Sequence, residues 1–233
     1  ALELRGRVGQ IVQDGEAVLR PAERLDPGTL ARSFTLRTRD GFVENFGGAL
    51  IARIGAEAPG VRLHFVQKTN RDSALLRDGS VDLETGVVGR MTGPEIRTQA
   101  LYRDRFIGVV RHGHPLSRGR VTAARYAAGK HVGIPYQGDA RGRIDTALAA
   151  LGLERELVTL VESFSVALAL ARGSDLIASV PERHTGNLRD GMHSCALPVA
   201  VPGITISMLW HPRMDADPAH RWLRGCVREV CSF

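Results

Sequence analysis

At 233 residues the chain is long enough to bury a core and fits one large domain or two small ones. It is 43% hydrophobic and 24% charged, and no run approaches the roughly 18 apolar residues of a membrane-spanning helix. The formal charge of +6 comes mainly from arginines scattered singly among few aromatics, which describes solvated faces rather than a nucleic-acid groove.

The first twenty residues read as a helix in which Leu4, Val8, Ile11, Gly15 and Val18 form a coiled-coil seam, with Pro21 ending it. Residues 1–25 are therefore expected to be a dimerisation or linker helix, covered by a second copy of the chain or by its own domain. A strand follows in "RSFTLRT", then a helix in "VENFGGALIARIGAEAPG" with Phe46, Leu50 and Ile54 on one stripe. "VRLHFVQKT" alternates as a second strand. "RDSALLRDGS" is a short helix with Gly79 as its C-cap, and "VDLETGVVG" is a third strand. Strand–helix–strand–helix–strand predicts a wound parallel sheet. "IRTQALYRDRFIGVVRHG" supplies two more strands. The rhythm then repeats through "KHVGIPYQ", "RIDTALAALGL", "ELVTLVES", "SVALALARG" and "LIASVP". "HSCALPV", "ITISMLWH" and a closing helix in "PAHRWLRGCVREVC" complete two αβ units.

Five stretches, in this order, resemble the effector-binding region of LysR-type transcriptional regulators. They are "RSFTLRTRDGF" leading into "LIARIGAEAPGVRL", "LLRDGSVDLETG", "LYRDRFIGVVRHGHPL", "SVALALARGSDLIASVP", and "LPV" followed by "ITISMLWHPRMDADPAHRWL". The resemblance implies an α/β, two-lobed, periplasmic-binding-protein-like fold of type 2, with two wound sheets joined by two crossover strands. Lobe I is expected over residues 32–111 plus 207–233 and lobe II over 112–206. It further implies a homodimer or homotetramer whose promoter-DNA contacts reside in an N-terminal winged helix-turn-helix that this chain lacks. The unpaired cysteines Cys195, Cys226 and Cys231 and the lack of an apolar leader point to the cytoplasm and to no membrane.

Asp82 and Glu84, two apart on a strand, are the first chemical candidates, since an acid/base pair needs two carboxylates on one face. The resemblance instead makes Asp82 a structural residue at a helix–strand joint. Glu84 stands where the family usually has a small or apolar residue. His112 and His114 in "RHGHP" offer too few ligands for a metal, and no Walker, dinucleotide or nucleophile-elbow motif is present. No enzyme activity, cofactor or metal is expected. A solute-binding protein of a transport system is the alternative on the same fold, and an enzyme on that fold is a second.

In wound sheets ligands sit beyond the C-terminal ends of strands, where helix N-termini face them. That rule and the resemblance together select Asp40, Phe42, Thr69, Asn70, Arg97, Thr98, Tyr136, Gln137, Ser163 and Ser165 as effector-binding candidates, with Gly86–Val88 nearby. The expected effector is a small organic or aromatic acid. Asp40 and Glu44 at the first helix would repel it unless Arg39 or Arg97 compensates, and a neutral or cationic ligand is then the alternative.

Overall fold

A computed structural model describes residues 25–70, 72–89, 91–135 and 141–232. The expected linker helix falls outside the described residues except for Leu25. Ten strands form two five-stranded mixed sheets. The first has the order β2-β1-β3-β10-β4, from Arg62–Gln67, Ser33–Thr38, Leu83–Gly86, Ile204–Trp210 and Arg97–Asp104. The second runs β7-β6-β8-β5-β9, from Glu156–Leu160, Lys130–Gly133, Leu176–Pro181, Phe106–Arg111 and Met192–Ala196. In each sheet three strands are parallel and the strands near the crossovers pair antiparallel.

The chain passes between sheets at Arg105 and again before Ile204. β5, which the sequence reading placed with the first lobe, therefore pairs with β8 and β9 in the second sheet. Likewise β10 joins the first sheet from Ile204 rather than from 207. The pattern of apolar residues marks where strands are, but not which sheet accepts them.

The first helix, α1, is composite: a turn at Asp40–Phe42, a π-helical stretch at Val43–Gly47, and a regular helix at Gly48–Glu57. Its apolar stripe is buried against the first sheet and the closing helix α6 (Pro218–Val230), in one core with Phe34, Leu36, Leu83, Met208 and Leu223. Leu76 of α2 (Ala74–Asp78) covers the opposite face with Val81, Ile96 and Leu209. Gly79 ends α2 with φ +88°, the left-handed cap expected of it. In the second sheet, α5 (Phe164–Arg172) packs on Ile107, Val109 and Val180. On the other face α3 (Ala123–Ala127) and α4 (Arg143–Ala149) pack on Val110 and Ile177. Ile107 and Val109 face one core while Val110 faces the other, so β5 is buried on both sides, as central strands must be.

Candidate functional site

A cleft of about 180 Å³ opens between the two sheets, lined from both lobes. The ends of β1, β2 and β3 supply Thr38, Lys68, Thr85, Gly86 and Val87. The crossovers contribute Phe106, Ile204 and Ile206, and the second lobe adds Ile134, Ile144, Phe164 and Ser179. The first-lobe end is thus hydroxyl and cation, while the apolar residues come from the crossovers and the second lobe, which also brings Arg143, Arg155 and Ser179. Among the described residues no carboxylate lines it, whereas Arg39, Lys68, Arg143 and Arg155 do.

Behind the polar end lies a buried charge cluster. Arg37 is 2% exposed and Glu84 fully buried. Arg37 Nη1 donates to Glu84 Oε1 at 2.6 Å and to the Asp72 carbonyl at 3.0 Å, while Nη2 donates to the carbonyl and side-chain oxygens of Asn70. Lys68 Nζ donates to the other carboxylate oxygen, Glu84 Oε2, at 2.5 Å. Opposite ends of one carboxylate therefore hold two cations, and burial of such groups is tolerable only because each is paired. Lys68 alone of the three reaches the cleft, its stem lying over Gly86, where a Cβ would sit 3.6–3.9 Å from Nζ, Cδ and Cε. Gly86 has φ +152°, a backbone setting that favours glycine. Thr38 and Thr85 hydroxyls bond to one another beside it.

The facing wall is equally fixed. Arg155 grips Asp145 in bidentate fashion, Nε to Oδ1 at 2.7 Å and Nη2 to Oδ2 at 2.9 Å, and Nη1 reaches Ser179 Oγ at 3.3 Å. Burial alone would push the Asp145 carboxyl up, but Arg155 and the Gly142 N–H outweigh it and hold it below the usual range. Tyr126, fully buried, closes the back through its hydroxyl on Ser179.

The lobes meet at the rim. Asp40 Oδ2, at the start of α1, accepts hydrogen bonds from Ser163 Oγ and from Ser165 Oγ at the start of α5. Asn45 Nδ2 donates to the Arg183 carbonyl at 2.9 Å, and Asn45 Oδ1 accepts from the Asn187 N–H at 3.1 Å. Asp104 receives the N–H groups of Arg183 and His184 at 2.9 and 2.8 Å. His184, buried and lining the cleft, hydrogen-bonds Tyr102 at 3.2 Å, and burial lowers its pKa to about 4. Glu44 beside this joint is pushed up by burial and by the Asp40 charge, against a hydrogen bond from Ser165.

Asp40, Asn70, Ser163 and Ser165 are thus at the cleft or its rim, as is Gly86–Val87; Val88 points to solvent. Thr69 is exposed beside Lys68 and outside the lining. Phe42 is fully buried in the first core, stacked on Phe46, so its role is packing. Arg97 and Thr98 begin β4, seven and six residues before Asp104, and at about 3.3 Å per residue they stand roughly 20 Å from the cleft end of that strand. Arg97 pairs there with Asp215 at 3.1 Å, leaving Arg39 to supply the compensating charge near Asp40. Tyr136 and Gln137 lie outside the described residues. Asp82 sits at the helix–strand joint, its Oδ2 accepting the Thr35 N–H at 2.8 Å and its Oδ1 3.6 Å from Arg32. His114 caps a short turn, accepting the Leu116 N–H at 3.1 Å, while Nε2 meets the Asp175 carbonyl at 3.2 Å. Burial raises the Cys226 and Cys231 thiols to about 11 and about 12.

Arg155, Ser179, His184 and Phe106 were not foreseen, because they reach the cleft only once the second sheet is folded against the first. Lys68 carried a signal: it and Lys130 are the sole lysines in a chain that otherwise uses arginine.

Residues 27–232 match the LysR substrate binding domain. The chain belongs to that family. As a LysR substrate-binding domain it is 30% identical to the HTH-type transcriptional activator NahR of Pseudomonas putida, covering 89% of this chain and 70% of that protein. It is 25% identical to the activator NagR of a Ralstonia species, over 100% of this chain and 78% of that one. The regulatory domain of MexT, a transcriptional activator in Pseudomonas aeruginosa, superposes with a TM-score of 0.74 at 25% identity, over 87% of this chain and 99% of that one. The two lobes joined by two crossovers are the periplasmic-binding-protein-like fold that the sequence led us to expect. No helix among the described residues is long and apolar enough to cross a membrane.

Proposed function

We propose that this LysR substrate-binding domain senses a small amphipathic acid held between its lobes. One observation carries the reading: Thr38, Lys68 and Thr85 line a cleft of about 180 Å³ together with the apolar side chains of Phe106, Ile144, Ile204 and Ile206. Arg39 lines the same cleft, and its side chain makes no hydrogen bond or ion pair with the described residues. A carboxylate at the cationic end and an apolar body against the wall would satisfy both halves.

Ligand touching both lobes stabilises whichever lobe arrangement it fits better, and only that difference in affinity shifts the population. In a cytoplasmic regulator carrying a winged helix-turn-helix, the linker helix would pass the change to promoter DNA, with the protein acting as a homodimer or homotetramer. The regulators among its relatives favour this over solute transport. Thermal unfolding with benzoate and with benzamide tests the charge requirement. Benzoate should stabilise increasingly with the logarithm of its concentration, by about 2.7 kcal/mol at a hundred times its Kd, with benzamide far weaker. Equal stabilisation by the two would overturn the acid.

A further inference from the structure

The cluster behind the cleft carries a consequence for ligand charge. Arg37 and Lys68 bring two positive charges and Glu84 returns one negative, with all three side chains under a tenth exposed. In water such charges would be screened over a few ångströms, but under this burial their sum is felt at the cleft floor. Arg37 never reaches the cleft, and neither does Glu84; Lys68 does, and its ammonium is held by the Glu84 oxygen 2.5 Å away. The position of Glu84 on β3, in register with Arg37 on β1, places this countercharge directly behind the strand end. The cluster thus presents a net charge of one to the cleft, beside the Arg39 guanidinium that also lines it.

Resting on the acid-sensing reading, we propose that Glu84 is the positioning residue that sets ligand charge in this cleft. It holds the Lys68 ammonium at the floor and cancels one of the two cations behind it, which shifts the subsite's preference toward fewer negative charges. The inference concerns selectivity and separates from stability, because removing Arg37 and Glu84 together leaves Lys68 and the same net charge.

The test is calorimetric titration of the domain at pH 7.5 with benzoate, phthalate and benzamide, a monoanion, a dianion and a neutral analogue of similar bulk. Wild type should bind benzoate over both others. Glu84→Gln should move the phthalate-to-benzoate ratio of affinities toward phthalate by about tenfold or more, the size expected of one desolvated charge. The double variant Arg37→Met/Glu84→Gln should return the ratio to the wild-type value, a rescue that a purely structural role for Glu84 would not produce. If Glu84→Gln does not fold, Lys68→Met decides: it leaves Arg37 and Glu84 as a neutral pair, and should reduce the preference for benzoate over benzamide to what Arg39 alone supplies. An unchanged phthalate-to-benzoate ratio in folded Glu84→Gln overturns the proposal, as does an undiminished benzoate preference in Lys68→Met. A wild-type protein that binds neither acid overturns the acid-sensing reading itself, a result distinct from either of these.

Discussion

Gly41 and Gly48 sit seven residues apart on one composite helix and should respond oppositely to alanine. A Cβ on Gly41 would lie 2.5 and 2.7 Å from the His184 ring, which is itself wedged between Phe164 and Tyr102. The ring cannot swing away without losing its bond to Tyr102, so Gly41→Ala should cost about 1–3 kcal/mol, the usual toll of overpacking. Gly48 has φ −60° and open space around its Cα. There alanine only restricts the unfolded chain, and Gly48→Ala should stabilise by about 0.5–1 kcal/mol. Urea unfolding of both variants reads the contrast. A Gly41→Ala protein as stable as wild type would mean that His184 is not packed where the lobes meet.

At the scale of elements, α5 does two jobs with its N-cap residue. Ser163 Oγ caps the helix by accepting the Val166 N–H at 3.5 Å and donates across the rim to Asp40. Ser163→Ala removes both and should cost about 1–2 kcal/mol. Ser163→Asp keeps a good cap but sets a second carboxylate against Asp40, so it should be the less stable of the two above pH 6 and should recover when Asp40→Asn is added. Denaturation midpoints for the four proteins settle the matter; an Asp variant at least as stable as the Ala variant would show that the rim contact is not formed. Such residues were legible beforehand, because a helix start and a strand end announce themselves through Ser, Asp, Asn and Gly. The long strands and helices were legible for the same kind of reason, in period-two runs such as β2 and in the stripe of Phe46, Leu50 and Ile54. What pattern could not give was α3, only five residues long, whose start is set by one Thr122 hydroxyl on the Arg125 N–H. Nor could it place Arg155 or Ser179, which enter the site from the start of β7 and from β8, on either side of β6, and depend on sheet order. Arg97 shows the converse error: a residue chosen by likeness of position lies at the wrong end of an eight-residue strand.

For the whole molecule, three of the four buried histidines among the described residues set the response to acid. Burial lowers the pKa of His131, His184 and His220 to about 4, from an ordinary 6.5. They lie in the second lobe, at the joint and in the closing helix of the first lobe, so every part of the fold carries one. His131 shows why protonation is refused: Nε2 faces the Tyr126 carbonyl at 2.8 Å, while Nδ1 is buried without a partner among the described residues. At pH 7 the three are neutral in the folded and unfolded chain alike and cost nothing. Below 6.5 the unfolded chain takes up protons that the folded one does not, so stability falls as pH falls, until the folded sites titrate near 4. Each histidine accounts for up to about 3 kcal/mol over that window, and together they rival the whole stability of an ordinary domain. Asp145 and Asp217, held below the usual carboxylate range after hydrogen bonds to Arg155 and Arg32 outweigh burial, add a loss of the same sign at lower pH. The melting temperature should therefore drop steeply between pH 6.5 and 4.5 and hardly change between 7 and 8. His220→Gln, which can still donate to the Asp82 carbonyl that His220 Nε2 meets at 2.9 Å, should flatten that slope by about a third. A melting temperature constant from pH 7 to 5 would contradict neutral burial of these rings, because no folded site could then be refusing a proton that the unfolded chain accepts.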